Sequence, residues 1–145
     1  MRFMLLLKGN EISETGVMPS EKIINAMGEY NEQLIKAGVL LAGEGLRPRK
    51  QGAIVKFANN QRTVVDGPYT EAKEVIAGYW MIQVNSKEEA IEWAKRVPME
   101  ADAQFGTEGE IEVRQVFEIS DFPQDNEAIR KEAEWRAQNQ RPPGS

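Results

Sequence analysis

Hydrophobic and polar positions along this chain change period several times, and each change marks an element. Arg2 to Lys8 is a short run apolar on both faces, which predicts a buried strand. After a polar stretch, Pro19-Ser20-Glu21 opens a helix in which Ile23, Met27, Tyr30 and Leu34 recur at helical spacing, and Ala37-Gly38 stops it. Val39 to Leu46 is a second strand, interrupted late by Gly43 and Gly45. Ala53 to Phe57 and Arg62 to Val65 flank Asn59-Asn60 and predict a hairpin, with a loop slightly longer than the tightest type. Ala77 to Val84 is rich in aromatic and β-branched residues, as strands are. Ser86 with Glu89 three residues on has capping-box spacing. Ala90, Trp93, Ala94 and Val97 form one face of the helix that follows, and Pro98 ends it. Glu110 to Ile119 alternates as a last strand.

The order is strand, helix, strand, hairpin, strand, helix, strand, without an internal repeat. It predicts an α+β domain, a ferredoxin-like plait with a mainly antiparallel sheet and both helices on one face. Two helices cover only one face of such a sheet. The side-chain period of two puts Met4, Leu6, Tyr79, Met81 and Val116 on the other, mixed with a few polar groups. An apolar face open to water is an interaction surface, so a homodimer packed sheet face to sheet face, with a mixed-polarity cavity between, is expected. The composition changes at Ser120. The expected division is a domain over 1–119 and, over 120–145, a linker, a short helix from Glu127 to Gln138 and a frayed tail. Glu127–Lys131 and Glu132–Arg136 are at the favourable i,i+4 spacing on that helix.

Composition narrows the chemistry more than any motif. Among 145 residues there is no Cys and no His, which removes disulfides, thiolate nucleophiles, imidazole bases and His- or Cys-ligated metals. Acid–base work would fall to carboxylates, Lys or Tyr. The carboxylates are too scattered to specify a metal site, and no cofactor is expected. A net charge of −5 without a basic run argues against nucleic acid. No apolar run is long enough for a bilayer, and the short one at the start ends at Lys8. A cytoplasmic location is the expectation.

The segment from Val64 to Glu74 is the most informative. Asp66, Gly67 and Pro68 leave a strand, and Asp66, Glu71, Lys73 and Glu74 put four ionisable groups within nine positions. One reading is a turn: Asp66 bonds its own backbone, Gly67 allows an unusual φ, and Pro68 fixes the next residue. The other is a stiff loop presenting Asp66 or Glu71 beside Lys73 at a cavity mouth.

Asp66-Gly67-Pro68-Tyr69, then Glu71, Lys73-Glu74 and Ala77-Gly78-Tyr79, resembles the signature of the DGPF-domain proteins of the YCII-related family. Met4-Leu5-Leu6, Gly43-Glu44-Gly45-Leu46, Glu89 to Ala94 before Pro98, and Glu112-Val113-Arg114 extend the resemblance over roughly residues 1–119. The resemblance implies a dimeric α+β barrel of ferredoxin-like plaits. It implies no settled activity: some relatives are proposed to use a His-Asp pair, related barrels include muconolactone isomerases and small monooxygenases, and some DGPF proteins are linked with sigma factors. The chain departs from the pattern in lacking His, in having Tyr69 for Phe, and in having Gln115 where Pro often follows Glu-Val-Arg. A His-Asp mechanism cannot operate here.

Other candidates come from the sheet. Gly43-Glu44-Gly45 has no helix after it, so it is not a dinucleotide fingerprint; a strand bend is the plain reading, and a ligand approaching Glu44 is the functional one. Arg114 lies on the mixed face and needs a partner, with Asp66 or Glu44 eligible; it forms either an ion pair across the cavity or a seat for a small anion. Tyr79 is a cavity wall. Two functions are therefore expected. One is a small-molecule binding domain, extending to a cofactor-independent isomerase or lyase with Asp66 as base and Glu44, Glu71, Lys73, Tyr79 and Arg114 around the ligand. The other is a non-catalytic regulatory or protein-interaction module linked to transcription.

Overall fold

A computed structural model describes residues 1–67 and 75–140. In chain order it comprises β1 (Arg2–Lys8), α1 (Glu21–Lys36), β2 (Leu40–Gly45), β3 (Ala53–Ala58), β4 (Gln61–Asp66), β5 (Ile76–Gln83), α2 (Lys87–Lys95), β6 (Ile111–Gln115) and α3 (Glu127–Asn139), with short 3-10 turns between some of them. Four strands form one sheet in the order β2-β5-β1-β6, every neighbouring pair antiparallel. β3 and β4 form a separate two-stranded arm. The α+β class and the antiparallel sheet expected from the sequence are those of the protein.

Helices α1 and α2 start where the sequence places their caps. The Ser20 hydroxyl accepts from the Ile23 N–H at 3.3 Å, and Ser86 accepts from Glu89 at 3.1 Å. Glu89 returns the bond to the Asn85 N–H, at 3.0 Å, one residue ahead of the cap. The apolar stripes of α1 and α2 lie on one sheet face. Phe3 and Leu5 of β1 and Trp80 and Ile82 of β5 pack there with Tyr30, Leu34, Ala90 and Trp93, all buried. Register explains the layering: Leu5 stands opposite Trp80 on one side and Val113 on the other.

Aromatic rings tie the helices to the sheet. Tyr30 meets Trp80 edge to face, with ring centroids 5.3 Å apart, and Trp93 at 6.5 Å. Their polar tips are satisfied: the Tyr30 hydroxyl donates to the Trp93 carbonyl at 2.8 Å, and the Trp80 indole N–H donates to Asn31 Oδ1 at 2.8 Å.

Three sequence expectations are corrected. The hairpin turn is the tightest kind, because Ala58 pairs with Gln61 and only Asn59 and Asn60 form the loop. Both take left-handed φ, 50° and 60°, which asparagine tolerates and a two-residue turn of matching twist requires. The last strand stops at Gln115 rather than Ile119. The Val116 N–H still bonds the Arg2 carbonyl at 2.9 Å, and beyond it the chain leaves the ladder for the 3-10 turn Ile119–Asp121. Phe117, freed from the ladder, is 72% exposed and leans on Phe122 at 5.4 Å. Gly67 has no left-handed φ, and a different constraint explains it, as shown below.

Candidate functional site

The sheet face away from α1 and α2 is ordered by cross-strand pairing. In one row Ala42, Met81, Met4 and Arg114 stand side by side across β2, β5, β1 and β6. In the next row stand Glu44, Tyr79, Leu6 and Glu112. Each row has an apolar centre; Arg114 ends the first at the β6 edge, and Glu44 and Glu112 flank the second. Met4, Tyr79 and Met81 are half-buried, and Leu6 is 9% exposed. Val116 follows the end of β6 and is half-buried.

Glu44 lies within β2 opposite Tyr79 and is exposed. The irregularity of this strand falls between Leu40 and Ala42, ahead of the glycines, so Gly43-Glu44-Gly45 is not itself the bend. The neighbouring glycines serve packing. A β-carbon on Gly43 would come to 3.0 Å from Trp80, and one on Gly78 to 2.9 Å from the Glu44 carbonyl.

Arg114 reaches neither of its expected partners. Its guanidinium lies 3.7 Å from Glu112 and its side chain is 70% exposed. The reason is positional: Glu44 is on the opposite edge strand of the sheet and Asp66 closes the separate arm. Glu112 is held more firmly by Lys8, at 3.0 Å. Sequence reasoning did not single out Glu112 on this face; its alternation with Arg114 on one strand was the available signal.

Asp66 is the last residue of β4, opposite Ala53, and exposed; among the described residues no ion pair or side-chain hydrogen bond engages it. Glu71 and Lys73 lie outside the described residues. What the structure adds at this end is the seat of the loop. The Gly67 N–H donates to the Gly52 carbonyl at 3.0 Å, and a β-carbon on Gly67 would overlap the Arg49 carbonyl. Arg49 is in turn fixed by Glu14, with Nε to Oε2 at 2.7 Å, both side chains mostly withdrawn from solvent. Where the described chain resumes, the Gly9 N–H donates to the Val75 carbonyl at 2.7 Å. The Glu14–Arg49 pair was illegible in the sequence, since 35 residues separate the two and neither sits in a motif.

Among the described residues no cluster of His, Cys, Asp or Glu could hold a metal ion, and no helix is long and apolar enough to cross a membrane. The arrangement is thus an α+β plait with an amphipathic open sheet face, and Gly67 at the end of the arm is seated against the 49–51 turn. Residues 1–120 match the YCII-related domain, and the chain belongs to that family. It is also 27% identical over 75 residues to an uncharacterized protein of Rhizobium meliloti (strain 1021), a match covering 52% of this chain and 60% of that protein. The match therefore spans less than two thirds of the relative's own length.

Proposed function

We propose that this chain is a small-molecule-binding homodimer, two copies packing their open sheet faces around the ligand. The carrying observation is the pattern of that face: Met4, Leu6, Tyr79 and Met81 at its centre, Glu44 at one edge, and Glu112 and Arg114 at the other. Apolar side chains left on a sheet face favour burial against a second sheet, at about 25 cal/mol per Å². Glu44 and Arg114 cannot meet within one chain, being on opposite edges. Two face-to-face copies related by a two-fold along the strands bring the β2 edge of each over the β6 edge of the other. Glu44 of one copy then stands in the row of Glu112 of the second, with Arg114 one row further along that edge, and these groups border an apolar cavity.

Such a cavity suits a small aromatic or aliphatic carboxylate: the apolar wall takes its body and Arg114 its charge. The chemistry available without His or Cys is proton transfer by a carboxylate, the reaction of a cofactor-independent isomerase or lyase. Glu44 lies on the face itself, and Asp66 lies where the chain enters the segment holding Glu71 and Lys73. Cytoplasmic residence fits this reading.

A thermal-shift screen of small carboxylic acids tests it. A ligand present at roughly a hundred times its Kd should stabilise the fold by about 2.7 kcal/mol, with a saturable concentration dependence. The stabilisation should vanish in Arg114→Gln. A chain that answers no small molecule but retrieves one specific protein is instead a regulatory interaction module.

A further inference from the structure

The cations bordering the open sheet face are all engaged within the chain. Arg2 holds Glu118 at 2.9 Å, Lys8 holds Glu112 at 3.0 Å, and Arg114 approaches the same Glu112 at 3.7 Å. Glu44 and Tyr79 differ: among the described residues no ion pair or side-chain hydrogen bond engages either. They are also cross-strand partners, Glu44 of β2 standing directly opposite Tyr79 of β5. Residues opposed on one sheet face have β-carbons about 5 Å apart, so an uncommitted carboxylate and an uncommitted phenol share one row. Tyr79 is half-buried, with Leu6 on its other side and Ala42, Met81 and Met4 in the adjoining row.

We infer that Glu44 and Tyr79 are the proton-transfer pair of this face, acting on a carboxylic acid that carries an enolisable ketone and an apolar body. The inference rests on the ligand-binding reading of the face and assigns its base to Glu44. A carbon acid needs two groups at once, a base at the carbon and a hydrogen-bond donor at the neighbouring carbonyl oxygen. One carboxylate and one phenol in a single row supply both. The carbon–hydrogen bond gives its proton to Glu44, and its electron pair becomes the double bond of the enolate. The carbonyl π pair moves onto the oxygen, to which the Tyr79 hydroxyl donates. Return of the proton to the same carbon, or to the far end of a conjugated chain, completes the step, and no oxidant or co-reactant is consumed. Glu44 is exposed at the sheet edge, so the proton it takes exchanges with water.

The remaining groups fit that substrate class. Met4, Leu6 and Met81 offer a hydrocarbon wall, and Arg114, 70% exposed and with the longest ion-pair contact of the three cations, is the one able to turn to a substrate carboxylate. Asp66 has no comparable setting. It closes the separate arm, and its cross-strand neighbour is Ala53, which donates nothing from its side chain.

Phenylpyruvate, a 2-oxo acid with an apolar ring and an acidic benzylic carbon, is the probe. Its deuterium uptake at that carbon in D2O is followed by proton NMR with the full chain, at concentrations where light scattering finds each variant in the wild-type assembly state. The wild type should accelerate uptake over buffer in proportion to protein concentration. Glu44→Gln should lower the protein-dependent rate about a hundredfold or more, and Tyr79→Phe about a hundredfold. Both variants should keep the thermal stabilisation by phenylpyruvate, since neither side chain holds its carboxylate, and circular dichroism melts report their folding. Uptake that survives Glu44→Gln, or that falls only in Asp66→Asn, overturns the pair. Stabilisation by phenylpyruvate without uptake beyond buffer overturns the proton-transfer inference and leaves the binding reading standing. Stabilisation by other small carboxylic acids but not by phenylpyruvate overturns the substrate class. Stabilisation by none of them overturns the binding reading and the pair together.

Discussion

The carbonyl of Arg49 occupies the space that a β-carbon on Gly67 would need. The obstruction is backbone, fixed by the Glu14–Arg49 ion pair at 2.7 Å, and cannot swing aside as a side-chain tip could. The glycine of the Asp-Gly-Pro motif is thus required by close approach, and not by a left-handed conformation. Gly67→Ala should force the arm root away from the 49–51 turn and lower stability by about 1–3 kcal/mol, as overpacking does. Urea denaturation measures this. Asp66→Ala, one residue away and exposed, should cost far less, and equal losses would show that the seat is not what the motif serves.

The elements were legible because their cause is local. Ser20 and Ser86 announce the helix starts, and the side-chain period of two puts Phe3, Leu5 and Leu7 on the face opposite Met4 and Leu6. The α+β class followed from their order. What escaped has non-local causes. The last strand ends at Gln115 and the chain turns at Ile119, although the alternation continues through that stretch. Arg114 was visible as a cation on the mixed face, but its partner depends on strand order: β6 at one edge and β2 at the other separate it from Glu44. The seat of Gly67 depends on Arg49 and Glu14, neither of which carries a motif.

Tyr30 makes stability depend on alkaline pH. Burial raises its phenol from 10.0 to about 12, although the positive charge of Arg96 acts in the opposite direction. With the folded value above the unfolded one, the folded state holds the proton that the unfolded state has lost. Stability is full below pH 10, and declines as pH rises from 10 towards 12. Tyr30→Phe should cost about 1 kcal/mol at neutral pH, since the Trp93 carbonyl keeps a bond from the Arg96 N–H at 3.1 Å. It should also flatten this part of the alkaline decline. Unfolding free energies of both proteins from pH 8 to 12 check the difference, and parallel curves would contradict it.

Met81 sits between Met4 and Ala42 at the middle of the open face. Met81→Glu introduces a charge where the dimer would exclude water, and an unpaired buried charge costs several kcal/mol. Within one copy the position is only half-buried, so the fold should survive. Light scattering should find a dimer for the wild type and a folded monomer for the variant. A variant of unchanged mass would place the interface on another surface.

Asp66, Glu44 and Arg114 allow the sharpest comparison. Asp66 ends the arm and Arg114 lies on the far edge strand with Glu112 at 3.7 Å, so nothing couples the first to the last within a chain. Asp66→Asn and Arg114→Gln should therefore be additive in unfolding free energy to within about 0.5 kcal/mol. Glu44 and Arg114 should behave differently, because the proposed two-fold would set Glu44 of one copy one row away from Arg114 of the other. Glu44→Gln and Arg114→Gln should each weaken the dimer, and the double variant should lose less than the two losses combined. Denaturation at two protein concentrations separates the cases, since coupling that depends on association grows with concentration and coupling within one chain does not. Additivity for both pairs would leave Arg114 without a carboxylate partner beyond Glu112, and available for an anionic ligand alone.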